Sequence, residues 1–225
     1  MGIRPVGRTL TAGTPRGVDL RGAHGLFGGT FDPIHLAHLA VAETALDELG
    51  LADVTFIPAG LPPHKTDRAV SPAADRVAMV EAAIADNPGF QLSTIEVERE
   101  GPSYTVDTLT ALIGAGIEPL AMIISMDSFL GLPTWHEPER VLGLATLVVA
   151  PREGVDDAPA DFLAAHFPKV EHAVVQLAGP HLRLSASEIR RRAAAGRSVR
   201  YLVPDAVAAY IGDHALYRTP SAQTA

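Results

Sequence analysis

The stretch Gly28-Gly29-Thr30-Phe31-Asp32-Pro33-Ile34-His35-Leu36-Ala37-His38 constrains this chain more than any other. Leu26-Phe27 before it read as the end of a short buried strand. Leu39, Ala42, Leu46 and Leu49 after it fall three or four apart, the spacing of a helical stripe. Gly50 suits the residue that stops that helix. The local order is therefore strand, glycine turn, helix. Two glycines remove Cβ atoms where the backbone turns tightly and where a ligand can come close. A helix start leaves N–H groups unpaired and carries partial positive charge, so it attracts anions. His35 and His38, three apart, share one face of the first turn. A glycine pair after a strand is common, and two histidines three apart are often only a polar face. In this order, together, they suit a phosphate.

The chain of 225 residues is 47% hydrophobic, enough for the core of one α/β domain. Its net charge of -8 argues against general nucleic-acid binding, though local Arg and His groups can still hold a small anion. With no cysteine, disulfides and thiolate chemistry are excluded. No apolar run approaches the roughly 20 residues of a membrane span, and no signal-peptide pattern opens the chain. A cytoplasmic protein is expected, and a homo-oligomer stays open.

Residues 1–22 show no apolar periodicity and read as a flexible tail; 219–225 read as a second, shorter one. Strands are expected at Ala23–Phe27, Val54–Ile57, Phe90–Val97, Pro119–Ile124, Thr146–Ala150 and Ala173–Leu177. Helices are expected after the glycine turn to about Leu49, from a Ser71-Pro72 start to about Asp86, from Ser103 or Thr105 through Leu112, as a short turn at Asp127–Leu132, from Ser185 to Gly196, and over Pro204–Ile211. Residues 151–172 read as a loop with at most one helix. Strands alternating with helices over 23–218 define one α/β domain, a Rossmann-like doubly wound parallel sheet of about five to six strands. Ligands of such sheets bind past the carboxyl ends of the strands. Five polar segments gather on that edge: the glycine turn, the Pro62-Pro63-His64-Lys65 loop, Ser103-Tyr104-Thr105, Ser125-Met126-Asp127 and the Ser185 helix start.

The chain has no Gly-x-Ser-x-Gly elbow and no His-Glu-x-x-His helix, so neither a serine nucleophile nor a zinc site is expected, and no metal ligand set is assigned. Anion binding remains, which suits phosphoryl or nucleotidyl transfer: phosphates held in line and developing charge neutralised. Ser185-Ala186-Ser187-Glu188-Ile189-Arg190 adds hydroxyls at a helix start with a guanidinium one turn on. Read alone, it is also an ordinary Ser cap followed by a solvated basic face.

The first stretch resembles the signature of the nucleotidylyltransferase superfamily, Gly-Gly-Thr-Phe-Asp-Pro followed by His-x-Gly-His, with Ala37 where the family usually has Gly. Further segments resemble the bacterial nicotinate mononucleotide adenylyltransferases. Pro62-Pro63-His64-Lys65 matches their Pro-Pro-His-Lys loop, and Pro102-Ser103-Tyr104-Thr105-Val106-Asp107-Thr108-Leu109 matches Pro-Ser-Tyr-Thr-x-Asp-Thr-Leu. Leu132-Pro133-Thr134-Trp135 matches Leu-Pro-x-Trp, and Leu184–Arg190 is similar to Ile-Ser-Ser-Thr-x-Ile-Arg. Two segments depart from the pattern: Ser125-Met126-Asp127 for Gly-x-Asp, and Arg152-Glu153-Gly154 for Arg-Pro-Gly. The resemblance covers about residues 23–218.

It implies adenylyl transfer from ATP to nicotinate mononucleotide, giving deamido-NAD and pyrophosphate, with Mg²⁺ carried on the ATP phosphates. It implies His35, His38 and Arg190 as catalytic residues. Gly28, Gly29, Thr30, Phe31, His38, Asp127, Ser185, Ser187 and Arg190 would bind ATP. Thr30, His64, Lys65, Tyr104, Thr105 and Trp135 would bind the mononucleotide. Transfer to nicotinamide mononucleotide or phosphopantetheine, or a non-catalytic nucleotide sensor, are the alternatives.

Overall fold

Leu120–Ser125 is apolar up to its last residue because both of its faces are covered. Leu120, Met122 and Ile124 enter one core layer and Ala121 and Ile123 the other, the two-residue alternation of a strand. The neighbouring strand divides likewise, with Leu147 and Val149 on one side and Val148 and Ala150 on the other. A sheet packed on both faces needs helices on both, and the chain supplies them.

The computed structural model describes residues 8–9, 18–61, 70–170 and 174–218. In chain order its elements are β1 (Arg8–Thr9), β2 (His24–Gly29), α1 (Leu36–Leu49), β3 (Asp53–Pro58), α2 (Ala73–Ile84), β4 (Phe90–Leu92), α3 (Thr105–Gly114), β5 (Leu120–Ser125), α4 (Met126–Leu130), a 3-10 turn (Leu132–Thr134), α5 (Pro138–Leu144), β6 (Thr146–Ala150), α6 (Phe162–His166), β7 (Val174–Gln176), α7 (Ala186–Ala194) and α8 (Asp205–Asp213). The sheet order is β1-β7-β6-β5-β2-β3-β4. From β2 to β7 every pairing is parallel. One core layer takes Ala42 of α1, Met79 of α2, Ile189 of α7 and Val207 of α8. The other takes Leu109 of α3, Phe129 of α4, Val141 of α5 and Phe162 of α6. The strand order reverses between β2 and β5, so the crevice at their carboxyl ends is the expected ligand position.

Four expectations need correction. The strand expected over Phe90–Val97 stops at Leu92. Among the described residues it is an edge strand paired only with β3, and Val97 and Glu98 N–H turn back onto the Thr94 carbonyl. Pro72, not Ser71, caps α2. Helix α5 has no counterpart in the sequence reading, because its seven residues are too few to show a repeating stripe. The tail assigned to 1–22 ends earlier than its upper limit, since Leu20 is buried in the core and Val18 packs on it. Gly22 N–H donates to Gly50 C=O, which pins this entry to the end of α1. Arg8–Thr9 pair antiparallel with β7. Residues 219–225 lie outside the described part.

Candidate functional site

The glycine turn does two jobs. A Cβ on Gly28 would meet nothing within 4 Å, so the turn opens onto free space there; a Cβ on Gly29 would stand 2.9 Å from the Phe31 ring. Phe31 holds a left-handed φ of 48°, a conformation costly for a bulky residue. Its ring is buried and meets His38 edge-on at 5.2 Å. What Phe31 can offer a nucleotide is therefore backbone, while its ring supports His38.

His35 caps α1 and His38 lies one turn on. Their rings stack at 3.6 Å, only 10° from parallel. His35 N–H donates to His38 Nδ1 at 3.2 Å. A backbone N–H can only donate, so Nδ1 offers a lone pair and neutral His38 carries its proton on Nε2, a donor suited to a phosphate oxygen. His35 is 5% exposed. Its Nδ1 is buried without a hydrogen-bond partner among the described residues. Burial lowers the His35 pKa to about 4; its own backbone opposes this and the Arg152 charge adds to it. The ring is thus neutral at pH 7.

This burial ties stability to pH. The folded pKa lies below the ordinary histidine value of 6.5, so between the two the unfolded chain binds more protons. The contribution is whole above pH 6.5 and is lost as pH falls toward 4. Relative to His35→Gln, the wild-type protein is expected to lose about 2 kcal/mol more stability between about pH 7.5 and pH 4.5 in urea titrations. Parallel curves for the two proteins would refute the burial argument.

Below the turn lies a scaffold the sequence reading missed. Arg76 of α2 is 2% exposed. It donates to Thr30 and Ala59 C=O from Nη1 at 2.9 and 2.7 Å, to Ser71 C=O from Nε at 3.0 Å, and to Gly60 C=O from Nη2 at 3.3 Å. One guanidinium thus staples the glycine turn, the end of β3 and the entry to α2. Burial pulls its pKa below the usual arginine value, and the Asp32 charge opposes this. The signal was present: positions 76, 79, 80 and 83 form one helical stripe, which puts Arg76 on the buried face.

Asp32 is the second missed residue. It is buried, and it accepts from Ser71 N–H and from Tyr217 Oη. Arg190 donates to the Asp32 backbone carbonyl through Nη1 and to Ser187 Oγ through Nη2 at 3.1 Å. Ser185 Oγ accepts from Glu188 N–H at 3.2 Å, so it is the cap of α7. Asp127 stands at the end of β5, where its carboxylate takes Arg152 at 2.6 Å. Burial would raise its pKa, but hydrogen bonds from Ser125 and Arg152 and the Arg152 charge outweigh that and hold it below the usual carboxylate value. Ser125 Oγ pairs with Ser128 Oγ at 3.1 Å.

A chain of contacts runs from the turn to the second half of the rim. Ala59 N–H donates to Gly29 C=O at 2.8 Å, Gly60 N–H donates to Ser103 Oγ at 3.0 Å, and Leu61 bridges to Pro102. Tyr104 and Thr105 stand at the start of α3. Tyr104 stacks on His136 at 4.3 Å, an unforeseen partner, while Trp135 packs half-buried on the adjoining core. Behind them Thr108 Oγ1 donates to buried Glu96, whose pKa burial raises. His64 and Lys65 lie outside the described residues.

Fold and rim together define a nucleotide-binding α/β protein of the nucleotidyltransferase type. A family profile described as Cytidylyltransferase-like matches residues 26–192. The "Probable nicotinate-nucleotide adenylyltransferase" of Thermomicrobium roseum is 47% identical over 199 residues, 88% of this chain and 92% of that protein. The protein of the same name from a Roseiflexus species is 47% identical over 195 residues, 86% of this chain and 97% of that one. Among solved structures, Plasmodium falciparum nicotinic acid mononucleotide adenylyltransferase complexed with NaAD has a TM-score of 0.71 at 17% identity, covering 88% of this chain and 98% of that one. That likeness speaks for the fold. The chain belongs to the cytidylyltransferase-like family and, within it, to the nicotinate-nucleotide adenylyltransferases.

Proposed function

We propose that this protein transfers the adenylyl group of ATP to the 5′-phosphate of nicotinate mononucleotide, releasing pyrophosphate and forming deamido-NAD for NAD biosynthesis in the cytoplasm. The observation that carries this is the stacked His35–His38 pair on the glycine turn at the switch point of the sheet. The mononucleotide phosphate attacks the α-phosphorus of ATP in line; the new P–O bond forms as the bond to pyrophosphate breaks, and no covalent enzyme intermediate is needed. His38 Nε2–H and the His35 ring steady the reacting phosphates. The backbone of Gly28, Gly29, Thr30 and Phe31 shapes the cradle. Ser185, Ser187 and Arg190 hold the leaving phosphates, and Asp127 meets a ribose hydroxyl once Arg152 yields. Thr30, His64, Lys65, Tyr104, Thr105 and Trp135 hold the mononucleotide.

Among the described residues no group of three or more His, Cys, Asp or Glu could hold a metal ion. These residues fit a divalent cation, Mg²⁺, that arrives on the triphosphate. There it supplies neutralising charge. No helix among the described residues is long and apolar enough to cross a membrane.

The test is pyrophosphate release with a panel of mononucleotides. Nicotinate and nicotinamide differ only as carboxylate against carboxamide. Helix-start N–H groups beside Thr105 suit a carboxylate, which only accepts hydrogen bonds. Glu137, two residues from Trp135 in sequence, pairs with Arg140 at 3.2 Å, which offsets its charge. A mispaired carboxamide costs about 1–3 kcal/mol. The acid is therefore expected to exceed the amide in kcat/KM by roughly tenfold to a hundredfold. Equal values would reject the acid specificity and keep adenylyl transfer; no pyrophosphate with any mononucleotide would reject both.

A further inference from the structure

Tyr217 follows α8, 185 residues along the chain from Asp32, yet its hydroxyl donates to Asp32 Oδ1 at 2.8 Å. The side chain is fixed in place. Tyr217 holds a left-handed φ of 66°, the preceding Leu216 N–H donates to Ile211 C=O, and the Tyr217 oxygen touches Met79 Sδ at 4.0 Å. Burial, with the Asp32 charge, pushes the phenol pKa well up, so the hydroxyl stays a donor throughout the working pH range.

Asp32 is 4% exposed, so each carboxylate oxygen needs a protein donor. Oδ2 accepts from Ser71 N–H at 3.3 Å, and Oδ1 accepts from Tyr217. Arg190 Nη1 stands 3.9 Å from Oδ2. That distance keeps charge attraction without spending the guanidinium's N–H groups on the carboxylate. Arg190 Nη1 instead goes to the Asp32 backbone carbonyl and Nη2 to Ser187 Oγ, at the start of α7. An arginine beside a carboxylate with an unmet oxygen tends to close a two-pronged pair. Tyr217 removes that unmet oxygen.

We infer that Tyr217 is a positioning residue for ATP: by satisfying Asp32 Oδ1 it keeps Arg190 off the carboxylate and turned toward the triphosphate. This rests on the adenylyl-transfer reading insofar as Arg190 meets ATP phosphates. It also makes the segment after α8 part of the nucleotide site.

The test is Y217F, which removes one hydroxyl and keeps the ring. The Kd for a non-hydrolysable ATP analogue and the KM for ATP are expected to rise about tenfold, while the KM for the mononucleotide stays within about twofold. In an R190A background, adding Y217F is expected to change the analogue Kd by less than about twofold, because the two residues act as one unit. A loss of kcat with both KM values unchanged overturns the proposal, as does the same tenfold shift in the R190A background. Should Y217F not fold, Y217M repeats the test with an adaptable side chain; failure of both to fold overturns it, since the hydroxyl would then hold the fold rather than Arg190. Wild-type protein that binds the analogue but releases no pyrophosphate defeats the adenylyl-transfer reading alone. The Kd comparison between wild type and Y217F still decides the role of Tyr217.

Discussion

His38→Ala is expected to fold normally and to lower kcat by about a hundredfold or more, the range for losing one preorganised donor to transition-state charge. His38 cannot rotate freely. Its Nδ1 is engaged by His35 N–H, one face lies on the His35 ring, and the edges of Phe27 and Phe31 close on it. Such a ring needs little reorganisation as charge develops, which is where a fixed donor outperforms water. The alanine gives up the bond from His35 N–H but suits a helix interior, so the helix is expected to persist. Pyrophosphate release under saturating substrates, alongside a melting curve, measures both parts. Near wild-type turnover in a folded variant would remove His38 from the chemistry.

Arg76→Met is expected to destabilise the protein by about 3–5 kcal/mol, as when one partner of a buried charged network is removed. Methionine keeps most of the stem and its packing but strands the carbonyls of Thr30, Ala59, Ser71 and Gly60. Water cannot readily replace the guanidinium at a site with 2% exposure. Arg76→Lys should recover only part of the loss, because an ammonium has three donors and no planar fork. Urea unfolding of the three proteins gives the comparison. A methionine variant within about 1 kcal/mol of wild type would show the carbonyls to be met by other means.

The glycine turn, the histidine pair and the central strands were legible because each is local. Apolar runs mark β5 and β6, and a stripe three or four apart marks α1. The residues that brace the turn were harder for two different reasons. Arg76 was readable from its place in the stripe of α2, but a charged residue there looks like an interruption of the stripe rather than its centre. Asp32 and Tyr217 meet across 185 residues of chain, and nothing in either neighbourhood announces the other. His136 stacks on Tyr104 just past the 3-10 turn at Leu132–Thr134, a pairing across 32 residues that neither neighbourhood reveals. Leu20 was missed because a single apolar residue ahead of a strand has no period to reveal it. Asp127 was found from its motif, but its Arg152 partner belongs to a different strand end.

The contact of Leu36 N–H with Leu202 C=O has a consequence for how the molecule comes into being. The seven strands among the described residues are all encoded before residue 177, so a growing chain can emerge with its sheet already formed. The helix that carries the histidines would still lack the carbonyl that closes its first turn, and Asp32 would still lack Tyr217. The rim to which ATP binding is proposed is therefore completed last, when the distal end of the domain leaves the ribosome. If that rim takes ATP, an emerging chain is expected to hold nucleotide weakly until the domain is whole, and nucleotide bound to the completed fold steadies it by mass action.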